Sequence, residues 1–136
     1  MPRFLPFLPL FGVLLVFYWL AVQFEFFPRG LNRILFNVTL PSGHIWRPTW
    51  GDFMVLTGIL VLYIEIFKAT RTSETTIVDH LLSTLVLILY LVCWLIYPWG
   101  GNSVFLILAC MSFLDVIAGF TITISSARRD LSIGGK

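Results

Sequence analysis

The chain has 136 residues, 58% of them hydrophobic and 12% charged, with a net charge of +2 and a mean hydropathy of +0.92. Soluble domains carry about 25% charged residues, so this composition belongs to the membrane class. It also excludes a nucleic-acid binder, because no basic run is longer than Arg128-Arg129.

The first predicted element is an apolar helix over residues 4–24, with Gln23 its only strongly polar member. Arg3 followed by an apolar run has the look of a signal peptide. The run is too long for a signal core and no A-x-A-like site follows it, so a retained first helix is expected. Pro6 and Pro9 fall in or before its first turn, where a missing N–H costs least.

Residues 25–52 are the one stretch suited to extramembrane structure. Phe26, Phe27, Leu31, Ile34 and Leu35 surround Arg29 and Arg33, as in a short interfacial segment. Phe36, Val38 and Leu40 then alternate with Asn37 and Thr39, and Pro41-Ser42-Gly43 offers a turn before His44-Ile45-Trp46. That pattern predicts a β-hairpin over about 34–48, lying on the outer surface.

Thr49-Trp50-Gly51-Asp52 has capping-box spacing and opens the second predicted helix, residues 50–69, which closes at Lys68. Thr76-Ile77-Val78-Asp79 repeats that spacing before the third helix, 77–97. Pro98-Trp99-Gly100-Gly101-Asn102 is a dense breaker cluster, so the uncharged residues 81–114 must form two helices. The fourth helix is expected over 103–127, with Arg128-Arg129 closing it.

The expected fold is therefore all-α: a single polytopic domain of four transmembrane helices, up-down-up-down, with a short outer hairpin between the first two. Each crossing needs about 20 helical residues. An even number of crossings puts Arg3, Lys68, Arg71, Arg128, Arg129 and Lys136 on one side and Arg29, Arg33 and Arg47 on the other. The excess of basic residues predicts that both termini are cytoplasmic. Trp19, Trp46, Trp50, Trp94 and Trp99 then gather at the opposite interface as a one-sided aromatic belt.

The run Thr39-Leu40-Pro41-Ser42-Gly43, then Trp46, Trp50-Gly51-Asp52, Ile64-Glu65-Ile66-Phe67-Lys68-Ala69-Thr70-Arg71-Thr72 and Ile77-Val78-Asp79-His80, resembles a group of small inner-membrane proteins of proteobacteria. The resemblance covers most of the chain after residue 34. It implies a four-helix arrangement in a bacterial inner membrane and carries no activity with it.

Asp115 stands at the midpoint of residues 103–127, which hold no other charge. An intramembrane carboxylate costs roughly 2.5–3.5 kcal/mol on insertion scales, so it needs a partner, a proton or a purpose. Ser112, Asp115, Gly119, Thr123 and Ser126 share one helical stripe, and a small, polar stripe is normally a helix-packing face. Depth matching from the breaker cluster sets Asp115 against 86–90 of the third helix, where Tyr90 is the best donor, and against Thr57-Gly58 of the second. Neither level offers a cation, so Asp115 is expected to be neutral or to meet a cation from another subunit. A second group, Glu65, Lys68, Asp79 and His80, is expected at the cytoplasmic end, with His80 within reach of Glu65.

No cofactor is implied. Haem needs an axial histidine within a span, and the two histidines are His44 in the outer loop and His80 in a helix's first turn. Cys93 and Cys110 lie in apolar segments without C-x-x-C spacing and read as small hydrophobes. There is no phosphate loop, no Ser-His-Asp set and no H-E-x-x-H motif, so an enzyme is not expected. The partners expected are the lipid bilayer and other membrane-protein subunits. The favoured function is an accessory or assembly subunit packing laterally against a larger inner-membrane complex, such as one of energy transduction. The alternative is a small oligomeric proton-coupled transporter or channel using Asp115.

Overall fold

In a computed structural model, residues 8–71 and 76–134 are described. The order of elements is helix α1 (Leu10–Gln23), a 3₁₀ turn at Arg29–Asn32, strands β1 (Val38–Thr39) and β2 (Ile45–Trp46), helix α2 (Trp50–Ala69), helix α3 (Thr76–Ile96), a 3₁₀ turn at Pro98–Gly100 and helix α4 (Ser103–Gly134). Among the described residues, α2, α3 and the Ser103–Arg129 part of α4 are long and apolar enough to cross a membrane.

The first helix is shorter than its hydrophobic pattern predicts. Pro9 is the residue preceding it, in extended conformation, so the helix starts at Leu10 and has 14 residues. Residues 4–7 of the predicted span lie outside the described residues. Its C-terminus is a Schellman motif: Glu25 takes φ 59°, Phe26 N–H bonds Ala21 O at 2.8 Å and Glu25 N–H bonds Val22 O at 3.0 Å. The reversal turns Phe27 back onto Tyr18, with ring centroids 5.1 Å apart.

The hairpin forms where alternation predicts it. Val38 pairs with Trp46 and Thr39 with Ile45, antiparallel. Gly43 N–H bonds Leu40 O and Leu40 N–H bonds His44 O, both at 2.8 Å, which closes the chain around Pro41-Ser42-Gly43. Gly43 supplies the φ of +87° that the last turn position demands, at no steric cost. The ladder continues loosely toward the helices, through an isolated bridge between Ile34 and Thr49 and a bond from Trp50 N–H to Arg33 O.

α2 begins and ends where its sequence signals fall. Thr49 accepts from Asp52 N–H and Asp52 accepts from Thr49 N–H, so the capping box is complete. Thr76, the cap predicted for α3, is the first residue of that helix, and its side chain lies outside the described residues. Asn102 Oδ1 accepts from Phe105 N–H at the start of α4. At its far end α4 runs beyond the predicted limit of 127, through Arg128-Arg129 to Gly134. Arginine propagates helices well, so charge alone did not stop it.

Contacts give the relative directions. Gly51 packs on Val104 and Gly58 on Leu108 and Met111, so α2 and α4 run side by side in the same sense. Gly119 meets His80, and the Tyr90 ring meets Phe105 at 5.3 Å, so α3 runs opposite to α4. Gly12 approaches Val86 while Leu10 bonds Glu65, so α1 follows α3 and opposes α2. The core comprises Phe11, Leu14, Tyr18, Phe27, Met54, Tyr90, Phe105 and Leu108, with more aliphatic side chains around them. Large apolar side chains occupy the outward faces of all four helices.

Candidate functional site

The candidate site is a polar cluster inside the bundle, at the end where α1 begins. Glu65 is 2% exposed. One of its oxygens, Oε1, accepts from Leu10 N–H at 3.1 Å and from Lys68 Nζ at 3.1 Å. The carboxylate of α2 thus caps the N-terminus of α1, where the free amides and the helix dipole both favour negative charge. Lys68 Nζ also donates to Leu8 O at 2.8 Å and stands 3.7 Å from Asp79 Oδ1 of α3. Among the described residues, the buried Asp79 Oδ1 has no hydrogen-bond partner.

His80 turns away from this group. Its Nε2 lies 2.7 Å from Thr123 Oγ1 of α4, and its ring packs on Phe120 at 4.9 Å. The pairing with Glu65 expected from the sequence is therefore replaced by a bond to α4. Gly119 is what admits the ring: a Cβ there would stand 2.7 Å from His80 Cε1.

Asp115 is buried, as are Ser112 and Gly119 on its stripe, so the stripe faces other helices as predicted. The Ser126 side chain lies outside the described residues. Glu65, Asp79 and Lys68 are the charged groups whose field reaches Asp115. Asp115 thus lies within the field of the other group, while, among the described residues, the ion pairs themselves join only Lys68 to Glu65 and Asp79.

The partners predicted for Asp115 are engaged elsewhere. Tyr90 donates its hydroxyl to Phe11 O at 2.8 Å, and Thr57 donates to Phe53 O one turn back in its own helix. Among the described residues, the buried Ser112 Oγ has no hydrogen-bond partner. Depth matching erred because α2 and α4 start level, with Gly51 on Val104, which sets Asp115 beside the inner turns of α2 instead of Thr57.

A second polar node, at the opposite end of the bundle, was not read from the sequence. Tyr18 donates to Trp99 O at 2.9 Å, and Asn102 Nδ2 donates to Tyr18 Oη at 2.8 Å and to Trp99 O at 3.2 Å. Asn102 immediately before Ser103 is a helix-capping signal, hidden here inside a run of turn residues. Around this node Tyr18, Phe105 and Trp99 pack with centroids 5.0–6.1 Å apart.

Among the described residues no group of three or more His, Cys, Asp or Glu side chains is arranged to hold a metal ion. Both cysteines are free thiols. No family model, curated protein or solved structure matches the chain.

Proposed function

We propose that the protein is an accessory or assembly subunit that packs laterally against a larger complex of a bacterial inner membrane. In this reading all four helices cross the bilayer, up-down-up-down. Both termini are cytoplasmic, the hairpin lies on the periplasmic surface, and the chain is kin to the small proteobacterial proteins it resembles. The observation that carries the proposal is how the polar groups are used. Glu65 and Lys68 tie α1 to α2, Tyr90 ties α3 to α1, and Tyr18 with Asn102 ties α1 to the start of α4. Each tie is worth about 0.6–2 kcal/mol in a membrane. With the polar side chains turned inward, the lateral surface left for contact is apolar, rich in Phe, Leu and Ile.

Purification from native membranes in mild detergent, followed by mass identification of co-purifying chains, tests this. Unrelated subunits in stoichiometric amounts are the expected result. A homo-oligomer free of other chains overturns the proposal.

One observation favours a second reading, in which the bundle oligomerises and moves protons through Asp115. Glu65, Asp79 and Asp115 are buried carboxyl groups within one another's field, and an intramembrane carboxyl is often a proton site. Asp115→Asn should then fold normally yet abolish proton uptake into reconstituted vesicles, because an amide cannot exchange a proton near neutral pH. In the accessory reading the same variant assembles with its partners as the parent does.

A further inference from the structure

Among the described residues, two buried side-chain polar atoms have no hydrogen-bond partner, Asp79 Oδ1 and Ser112 Oγ. The register of the helices places them on either side of Asp115. Gly119 meets His80, so one turn further in Asp115 comes about level with Ser83, and Ser112 with Val86. Gly58 meets Leu108 and Met111, so the residues of α2 about level with Asp115 are 62–65, the last being Glu65 itself. From the end where α1 begins, the polar groups therefore run inward from Lys68 and Asp79, through Glu65, Asp115 and Ser83, to Ser112.

Ser112 is the most telling member, and it is 1% exposed. A hydroxyl on a helix commonly bonds the carbonyl one turn back, as Thr57 does to Phe53 O and Thr84 to His80 O. Ser112 Oγ makes no such bond, so it is turned off its own helix, toward the space that the Asp115 stripe faces. Asp79 Oδ1 enters from α3, 3.7 Å from Lys68 Nζ and without a hydrogen bond. Buried polar atoms without a protein partner are costly, and ordered water is what ordinarily supplies the missing bonds. The carboxyl groups are spread along the bundle and not gathered as a metal ion needs, so water is the ligand this donor set suits.

We propose that water binds between α2, α3 and α4 beside Asp115, bonded to Ser112 Oγ and Asp79 Oδ1, and that it enters from the Lys68 end. The opposite direction is closed: Met54, Tyr90, Phe105 and Leu108 are fully buried and fill the bundle beyond Ser112. Toward the Lys68 end the enclosure loosens, with side-chain exposure of 1% at Glu65, 12% at Asp79 and 19% at Lys68. The rise from the level of Ser112 to that of Lys68 is about 9–13 Å, less than half of the ~30 Å of hydrocarbon. The site is thus a blind polar inlet and not a channel. The inference rests on the membrane reading and on neither functional role. An accessory subunit needs the water to satisfy its buried polar atoms, and a proton carrier needs it to reach Asp115.

The test uses the full chain, isotope-labelled, in phosphatidylethanolamine–phosphatidylglycerol vesicles, with water-to-protein magnetisation transfer read by magic-angle-spinning NMR. A chain that does not float with the vesicles overturns the membrane reading and this proposal with it. In the vesicles, Ser112 and Asp115 are expected to gain signal several-fold faster than Leu108 and Met54, which are buried as deeply. Tyr90, whose buried hydroxyl is bonded to Phe11 O, should be slow as well, which controls for transfer through a hydroxyl alone. Build-up at Ser112 and Asp115 as slow as at Leu108 overturns this proposal alone. The direction is read from silver ion added at one face of the vesicles to variants lacking Cys93 and Cys110. Silver from the Lys68 face should block later maleimide labelling of Ser112→Cys and leave Leu108→Cys reactive. Blocking of Ser112→Cys from the hairpin face, or of both thiols equally, overturns the route. Helicity and elution volume report whether the thiol variants fold. If they do not, the order of build-up in the parent protein decides: Asp79 before Asp115 before Ser112 supports the route, and the reverse order overturns it.

Discussion

Glu65 joins two helices through one oxygen atom, so its substitutions separate charge from shape. Glu65→Leu leaves Leu10 N–H without its acceptor, at about 1–3 kcal/mol, and takes from Lys68 one of its hydrogen bonds, the one to Leu8 O remaining. Glu65→Gln keeps an acceptor for Leu10 and loses only the charge opposite Lys68. Equilibrium unfolding in mixed micelles should rank parent, Gln and Leu in falling order of stability, and a Leu variant as stable as the parent would refute the capping role. Asp115→Asn should behave in the opposite way. It replaces a buried carboxyl that lies in the field of two others by a neutral amide of the same shape, so its stability should equal or exceed that of the parent. The residues of this cluster were legible in the sequence as carboxylates in apolar surroundings. Their convergence was not, since it depends on the offset between parallel helices that are far apart in the chain.

At the scale of elements, the glycines on helix faces set how closely α2, α3 and α4 pack. A Cβ at Gly58 would meet the ends of Met111 and Leu108 at 2.7–2.8 Å, side chains that can swing aside. A Cβ at Gly119 would meet the His80 imidazole at 2.7 Å, and that ring is held by Thr123 and Phe120. Gly119→Ala should therefore cost about 1–3 kcal/mol, as overpacking does. Gly58→Ala should cost far less, because the gain in helix propensity, about 1 kcal/mol, offsets the crowding. Thermal denaturation of the two variants side by side checks the order, and equal losses would refute it. Element boundaries were readable wherever a local signal sets them: the Thr49–Asp52 capping box, the turn at Gly43 and the breaker run after Tyr97. They were missed where the cue was absent or ambiguous. The start of α1 is fixed by Pro9 within a continuous apolar run, and α4 continues through a charged pair that resembles a stop.

For the whole molecule, the proposed orientation rests on the sequence expectation of six basic residues on the inner side against three on the outer. In a variant lacking Cys93 and Cys110, a membrane-impermeant thiol reagent added to intact cells should modify Ser42→Cys, at the exposed hairpin tip, and leave Ser132→Cys untouched. Labelling of Ser132→Cys under those conditions would reverse the orientation. The sequence conveyed the apolar character of every helix because hydropathy is a property of composition. It did not convey that α1 and α3 touch at Gly12, since a contact is a property of two surfaces together.

The brevity of α1 bears on how the chain is made. Its 14 residues rise about 21 Å, less than the ~30 Å of hydrocarbon that a helix must cross to insert alone. The groups that complete its inner end, Glu65 and Lys68, are synthesised more than fifty residues later. α1 thus gains the groups that complete it only after α2 has been made. In the proposed membrane reading, the carboxylate of α2 is therefore what holds the short first helix in place.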